Sequence, residues 1–153
     1  MDTQKTIEVL NSLIEINNDR IVGYETALNE TEEEDLKSLF SQFRQTSLKC
    51  KSELIHEVHE LGGIPVEGTK TSGKFFRVWM DMKFFITCFD RTTILYSCEH
   101  GEDAAVDTYN SALSNNLEVI TTKQQSMLTT QQALLLADHD YIKNLRIQSR
   151  ASE

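Results

Sequence analysis

Apolar residues recur along this chain at helical spacing in four long stretches. From Ile7 the series Ile7, Leu10, Ile14, Ile21, Tyr24 and Leu28 is an unbroken 3-4 alternation once the polar Asn17 takes its place. That spacing makes a seam on one side of a helix, the kind that packs in bundles. A second seam runs Leu36, Phe40, Phe43, Ser47, Cys50, Leu54, Val58, Leu61. A third runs Leu95, Cys98, Glu102, Ala105, Tyr109, Ala112, and a fourth Ile120, Gln124, Leu128, Gln131, Leu135, Ile142. The predicted helices cover about 3–29, 32–61, 91–114 and 116–147.

End signals fit these bounds. Thr31 with Glu34 reads as a capping box opening helix two, and Asn115 with Glu118 as a related arrangement opening helix four. The acidic run Glu32, Glu33, Glu34 falls in a first turn, where it complements the helix dipole. Gly62 and Gly63 stop helix two, and Pro65 follows. The polar tail from Gln148 is expected to fray. Each helix of about 25 residues spans roughly 40 Å.

Short links join helices one and two, and three and four, so each pair is an antiparallel hairpin. The link between the pairs, 62–90, is long enough to recross the bundle, and it carries its own helical stretch at about 74–88. YETAL at Tyr24–Leu28 returns as YNSAL at Tyr109–Leu113, an offset of 85. Two related hairpins would produce that repeat. The fold expected is all-α: one ferritin-like four-helix-bundle domain over 1–153, with a single long crossover.

The chain resembles a family of uncharacterised bacterial ferritin-like four-helix-bundle proteins, a domain-of-unknown-function family. The residues carrying the resemblance are LNSLIEINNDRIVGYETAL in helix one, HELGG closing helix two and RVWMDMK in the crossover. CEHGEDAAVDTYNSAL in helix three and HDYIKNLR in helix four complete it, so that it covers about residues 6–147. The resemblance implies a fold and brings no established activity with it.

Composition narrows the partners. Acidic residues outnumber basic ones by 24 to 15, a formal charge of −9. Duplex nucleic acid and anionic membrane both call for a basic face, so neither is expected. No stretch reaches 18 apolar residues and no leader-like apolar region opens the chain, so a cytoplasmic protein is expected. Cys50, Cys88 and Cys98 lack a framework spacing and read as small buried hydrophobes.

Ferritin-like di-iron proteins take a Glu from each of two helices and a Glu-x-x-His from each of the other two. Glu53 and His56 have the spacing, but the wrong direction. With Leu54 at the centre of the buried face, Glu53 lies about −100° and His56 about 160° away. His59 and Glu60 are also off the stripe. On the seams, the inward places hold Asn17, Glu102, Ser47-x-x-Cys50 and Gln131-x-x-Leu134. Counted from their loops, Asn17 and Ser47 share a height, and Glu102 and Gln131 another. One carboxylate of four makes a poor site for hard cations.

The expectation is therefore a buried polar layer of Asn17, Ser47, Glu102 and Gln131, in which amides and the hydroxyls of Ser47 and Tyr109 satisfy Glu102. On that reading Glu102→Leu preserves or stabilises the fold. No cofactor and no catalytic residue is expected. The alternative is an incomplete iron, manganese or zinc site drawing on Glu102, Glu99, Glu53, His56 and His139.

The second class of function is interaction. The crossover segment holds Phe75, Phe76, Trp79, Phe84, Phe85 and Phe89, six of twelve aromatics. Phe75 and Trp79 share one helical face, whereas Phe76 and Phe84 fall elsewhere. One surface helix cannot bury them all against the bundle. The surplus, including Phe85, points to a homo-oligomer or a protein partner, the alternative being a segment wedged deeply between helix ends.

Overall fold

The computed structural model describes residues 2–69 and 91–151. The crossover helix expected at 74–88 and the aromatics Phe75, Phe76, Trp79, Phe84 and Phe85 lie outside the described residues. Among those described there are four helices and no strand: α1 Thr3–Glu30, α2 Glu34–Glu60, α3 Arg91–Asn115 and α4 Thr122–Ala151.

Helix ends follow local hydrogen bonding. Asp2 caps α1 by accepting from the Lys5 backbone N–H at 3.2 Å. Thr31 closes α1 with its own N–H on the Ala27 carbonyl, and its hydroxyl accepts from Glu33 N–H at 3.3 Å. That three-residue turn starts α2 at Glu34, two positions later than the expected 32, so the Thr31–Glu34 box does not form.

At the other end of α2, Gly62 adopts φ +76°, its N–H reaching His59 O, while Gly63 N–H reaches Val58 O. This is a Schellman stop, and Gly62 supplies the left-handed residue it requires.

The start of α4 differs more from expectation. It opens at Thr122, six residues after 116, because the reciprocal box is Thr121 with Gln124. Thr121 N–H donates to Gln124 Oε1 at 2.9 Å, and Gln124 N–H to Thr121 Oγ1 at 3.0 Å. Asn115 and Glu118 make no such pair, and the Asn116 amide turns back onto Ala112 O. Val119 and Ile120 are buried in the intervening loop. The tail expected to fray continues α4 to Ala151.

Contacts between the ends define the topology. The Thr6 hydroxyl bonds Val119 O, setting the start of α1 beside the α3–α4 loop. Arg91 pairs with Glu33 and Asp35, setting the start of α3 beside the α1–α2 turn. Hence α1 runs antiparallel to α3, and α2 antiparallel to α4. Helices α2 and α3 run the same way, and Gly62 and Arg91 lie at opposite ends of the bundle. Beyond Gly63, the chain climbs the outside of α1. Asn11 exchanges bonds with Ile64 O and Val66 N–H, and Asn18 holds Gly68 O at 2.9 Å.

The four seams meet in one core. Leu10, Ile14, Phe40, Leu54, Leu95, Leu128, Leu135 and Ile142 have no exposed surface. On α1 the burial exceeds a seam: positions 16 to 21 are all buried. That brings Asn18, Asp19 and Arg20 inside together with the apolar residues.

Candidate functional site

Two polar layers cross the core, each touching all four helices. The first is built on Arg20 of α1, which is fully buried. Its Nε and Nη2 donate to Glu102 Oε1 of α3 at 3.1 and 2.8 Å. Nη2 also donates to Asp138 Oδ2 of α4 at 3.0 Å, and Nη1 to Ser47 Oγ of α2 at 2.5 Å. The Tyr24 hydroxyl donates to the same Glu102 Oε1.

The second layer starts from Asn17, one turn earlier on α1. Its Nδ2 donates to Leu13 O and to the Tyr109 hydroxyl, both at 2.9 Å. The Tyr109 hydroxyl in turn donates to Gln131 Oε1 at 2.8 Å. Gln131 Nε2 then donates to Glu53 Oε1 at 3.0 Å and Cys50 O at 3.4 Å.

The repeat in the sequence organises both layers. Tyr24 and Tyr109 are 85 apart, as are Asn17 and Glu102. Each tyrosine crosses to the other hairpin and bonds the polar residue seven positions before its counterpart: Tyr24 to Glu102, Tyr109 to Asn17. The hairpins thus exchange equivalent contacts about a pseudo-twofold axis.

The expected single layer of Asn17, Ser47, Glu102 and Gln131 is in fact two. Ser47 and Glu102 share the Arg20 layer, and Asn17 and Gln131 share the other. All four are buried, as their seam positions require. Arg20 and Asp138 were not among the expected members. For Asp138 the signal was present: 131, 135, 138, 142 continues the 3-4 spacing, with a charged residue at one step. Arg20 lies about 40° from the seam position of Tyr24, close enough for a long side chain to turn inward.

Burial and charge set the protonation of these groups. Burial opposes the charge on Arg20, but Glu102, Tyr24 and Asp138 more than restore it, so the guanidinium stays protonated. Burial, then Glu102, pushes the Tyr24 hydroxyl well up, and burial does the same to Tyr109. Burial and Glu102 push the Cys98 thiol up, and burial pushes Cys50 to about 11. All four groups are held neutral, which makes them poor nucleophiles. Burial pushes Asp138 up to about 6, opposed by Arg20 and reinforced by Glu102.

The residues weighed as metal ligands are dispersed. Glu102 is taken up by Arg20 and Tyr24. Glu53 accepts from Gln131 at the layer's edge. Glu99 pairs with Arg146 through two N–H groups. His56 is mostly exposed, 3.7 Å from Glu60. His139 is held between Asp103 at 2.6 Å and Asp140 at 3.0 Å. Among the described residues no three of His, Cys, Asp and Glu converge in a manner fit for a metal ion. The centre of the bundle holds a guanidinium, whose charge repels a second cation.

One expectation needs correcting on these contacts. Glu102→Leu does not remove a spare polar group. It strips a fully buried guanidinium of its main anion, which is destabilising.

This arrangement defines the class: a four-helix bundle of two related hairpins with an ion-paired polar core. The chain belongs to DUF2383, a domain-of-unknown-function family whose model matches residues 5–115, from α1 through the end of α3. No curated protein matches the chain. No helix among the described residues is long and apolar enough to cross a membrane.

Proposed function

We propose that this protein is a cytoplasmic, ferritin-like helical scaffold that performs no catalysis, holds no metal and acts through self-assembly or a protein partner. One observation carries the reading. Arg20 lies fully buried against Ser47 and Glu102, two of the inward seam places, and Glu102 and Asp138 are its counter-ions. Two carboxylates already paired with a covalently attached cation support the metal-free reading. The aromatic surplus of 75–89 supports the interaction half, since aromatics and Met concentrate in interface cores.

Two measurements test it. The purified protein is incubated with Fe(II), Mn(II) and Zn(II), desalted and assayed by plasma mass spectrometry. The expected metal content is far below one per chain. One or two metals per chain, lost in Glu102→Gln, would overturn the metal-free reading. Sedimentation and affinity capture then compare the wild type with Trp79→Ala/Phe84→Ala. Weakened association is expected, and identical association in both assays removes the crossover from the account.

A further inference from the structure

The Arg20 layer sets two carboxylates against one cation. Glu102 and Asp138 draw on the same nitrogen, Nη2, at 2.8 and 3.0 Å. One guanidinium charge, spread over its three nitrogens, cannot neutralise two carboxylates in a medium of low polarity. The imbalance has a geometric mark, because Glu102 Oε2 is buried with no hydrogen-bond partner among the described residues.

The two acids differ in access. The side chains of Arg20 and Glu102 are 0% exposed, whereas that of Asp138 is 11% exposed. Asp138 is the point at which this layer meets solvent. The groups facing it are Arg20 from α1, Glu102 from α3, and Thr46 and the neutral Cys50 thiol from α2. The adjacent His139 is engaged by Asp103 and Asp140.

We propose that Asp138 is a proton-operated latch on the bundle. At neutral pH it is a second anion on a shared guanidinium. On mild acidification it takes up one proton, leaves a balanced Arg20–Glu102 pair and makes the four helices harder to separate.

The sign of the effect follows from linkage. Asp138 stands at about 6 in the folded chain against an ordinary 3.8. Between those values the folded chain holds a proton that the unfolded chain lacks, so stability rises as pH falls through that window. Neighbouring titrations lie elsewhere. His139 is raised above 6.5, so its contribution is fully present below 6.5 and is lost as pH rises through its folded value. Asp35 is lowered below 3.8 by Arg91, so its contribution is lost only at still lower pH.

The test is urea unfolding at several pH values for the wild type, Asp138→Asn and His139→Gln. From about pH 6.5 to about pH 4.5 the wild-type ratio of folded to unfolded chains is expected to rise roughly tenfold to a hundredfold. Asp138→Asn loses that rise and is at least as stable as wild type at neutral pH. His139→Gln keeps it. A flat or falling wild-type profile across the window overturns the proposal, as does an Asp138→Asn variant that retains the rise. If Asp138→Asn does not fold, carbon-detected NMR titration of the wild-type Asp138 carboxyl decides. A midpoint near 6 supports the latch and one near 4 sinks it.

Discussion

A guanidinium with no exposed surface must be satisfied by protein groups alone, and Arg20 shows how narrow the margin is. Arg20→Met leaves Glu102 and Asp138 in the core without a cation, and should lower stability by about 3–5 kcal/mol. Glu102→Leu leaves Arg20 paired with Asp138 and should cost less than Arg20→Met. Replacing all three charges together, as Arg20→Met/Glu102→Leu/Asp138→Leu, should return stability to the wild-type level or raise it by about 1–4 kcal/mol. Chemical denaturation of the single and triple variants checks this, and additive losses in the triple variant would contradict it. Periodicity identified Asn17, Ser47, Glu102 and Gln131 as inward-facing, because a seam fixes direction whatever the residue type. It missed Arg20 because a flexible side chain of three methylenes and a guanidinium can enter the core from the flank. Asp138 was legible by the same rule, since 131, 135, 138, 142 continues the fourth seam.

At the scale of the element, stability is decided by which of several local signals wins. Two capping patterns compete before α4, and the structure uses Thr121 with Gln124. Beginning the helix later leaves Val119 and Ile120 in a loop that closes one end of the core. Burial of two β-branched residues is a tertiary gain that no local motif encodes, so the boundary was displaced in the sequence reading. Thr121→Ala should cost about 1 kcal/mol. Gly62 was legible as a stop, and Gly62→Ala forces a side chain into the left-handed region at φ +76°, a loss of roughly 1–2 kcal/mol. Thermal melts of the two variants measure both. A Gly62→Ala melt that matches wild type would mean that the turn relaxes to another conformation.

For the molecule as a whole, loop lengths made the topology readable. Short links gave two hairpins, and a long one allowed Gly62 and Arg91 to lie at opposite ends. Arg91 ties the hairpins at one end through Glu33 and Asp35, in ion pairs open to solvent. Exposed pairs contribute little, so Arg91→Ala should cost less than about 1 kcal/mol, and added salt should shrink the difference. A salt-independent loss of several kcal/mol would show that Arg91 is structural in some other way. The charges inside are divided differently. The first hairpin brings Asp19 and Arg20, and the second brings Glu102 and Asp138. Two copies of the first hairpin docking on each other would confine two guanidinium groups with neither Glu102 nor Asp138. Two copies of the second would confine four carboxylates with no Arg20. Although the halves share a repeat, the Arg20 layer therefore needs one of each. Only an unlike pair sets the Arg20 guanidinium against Glu102 and Asp138.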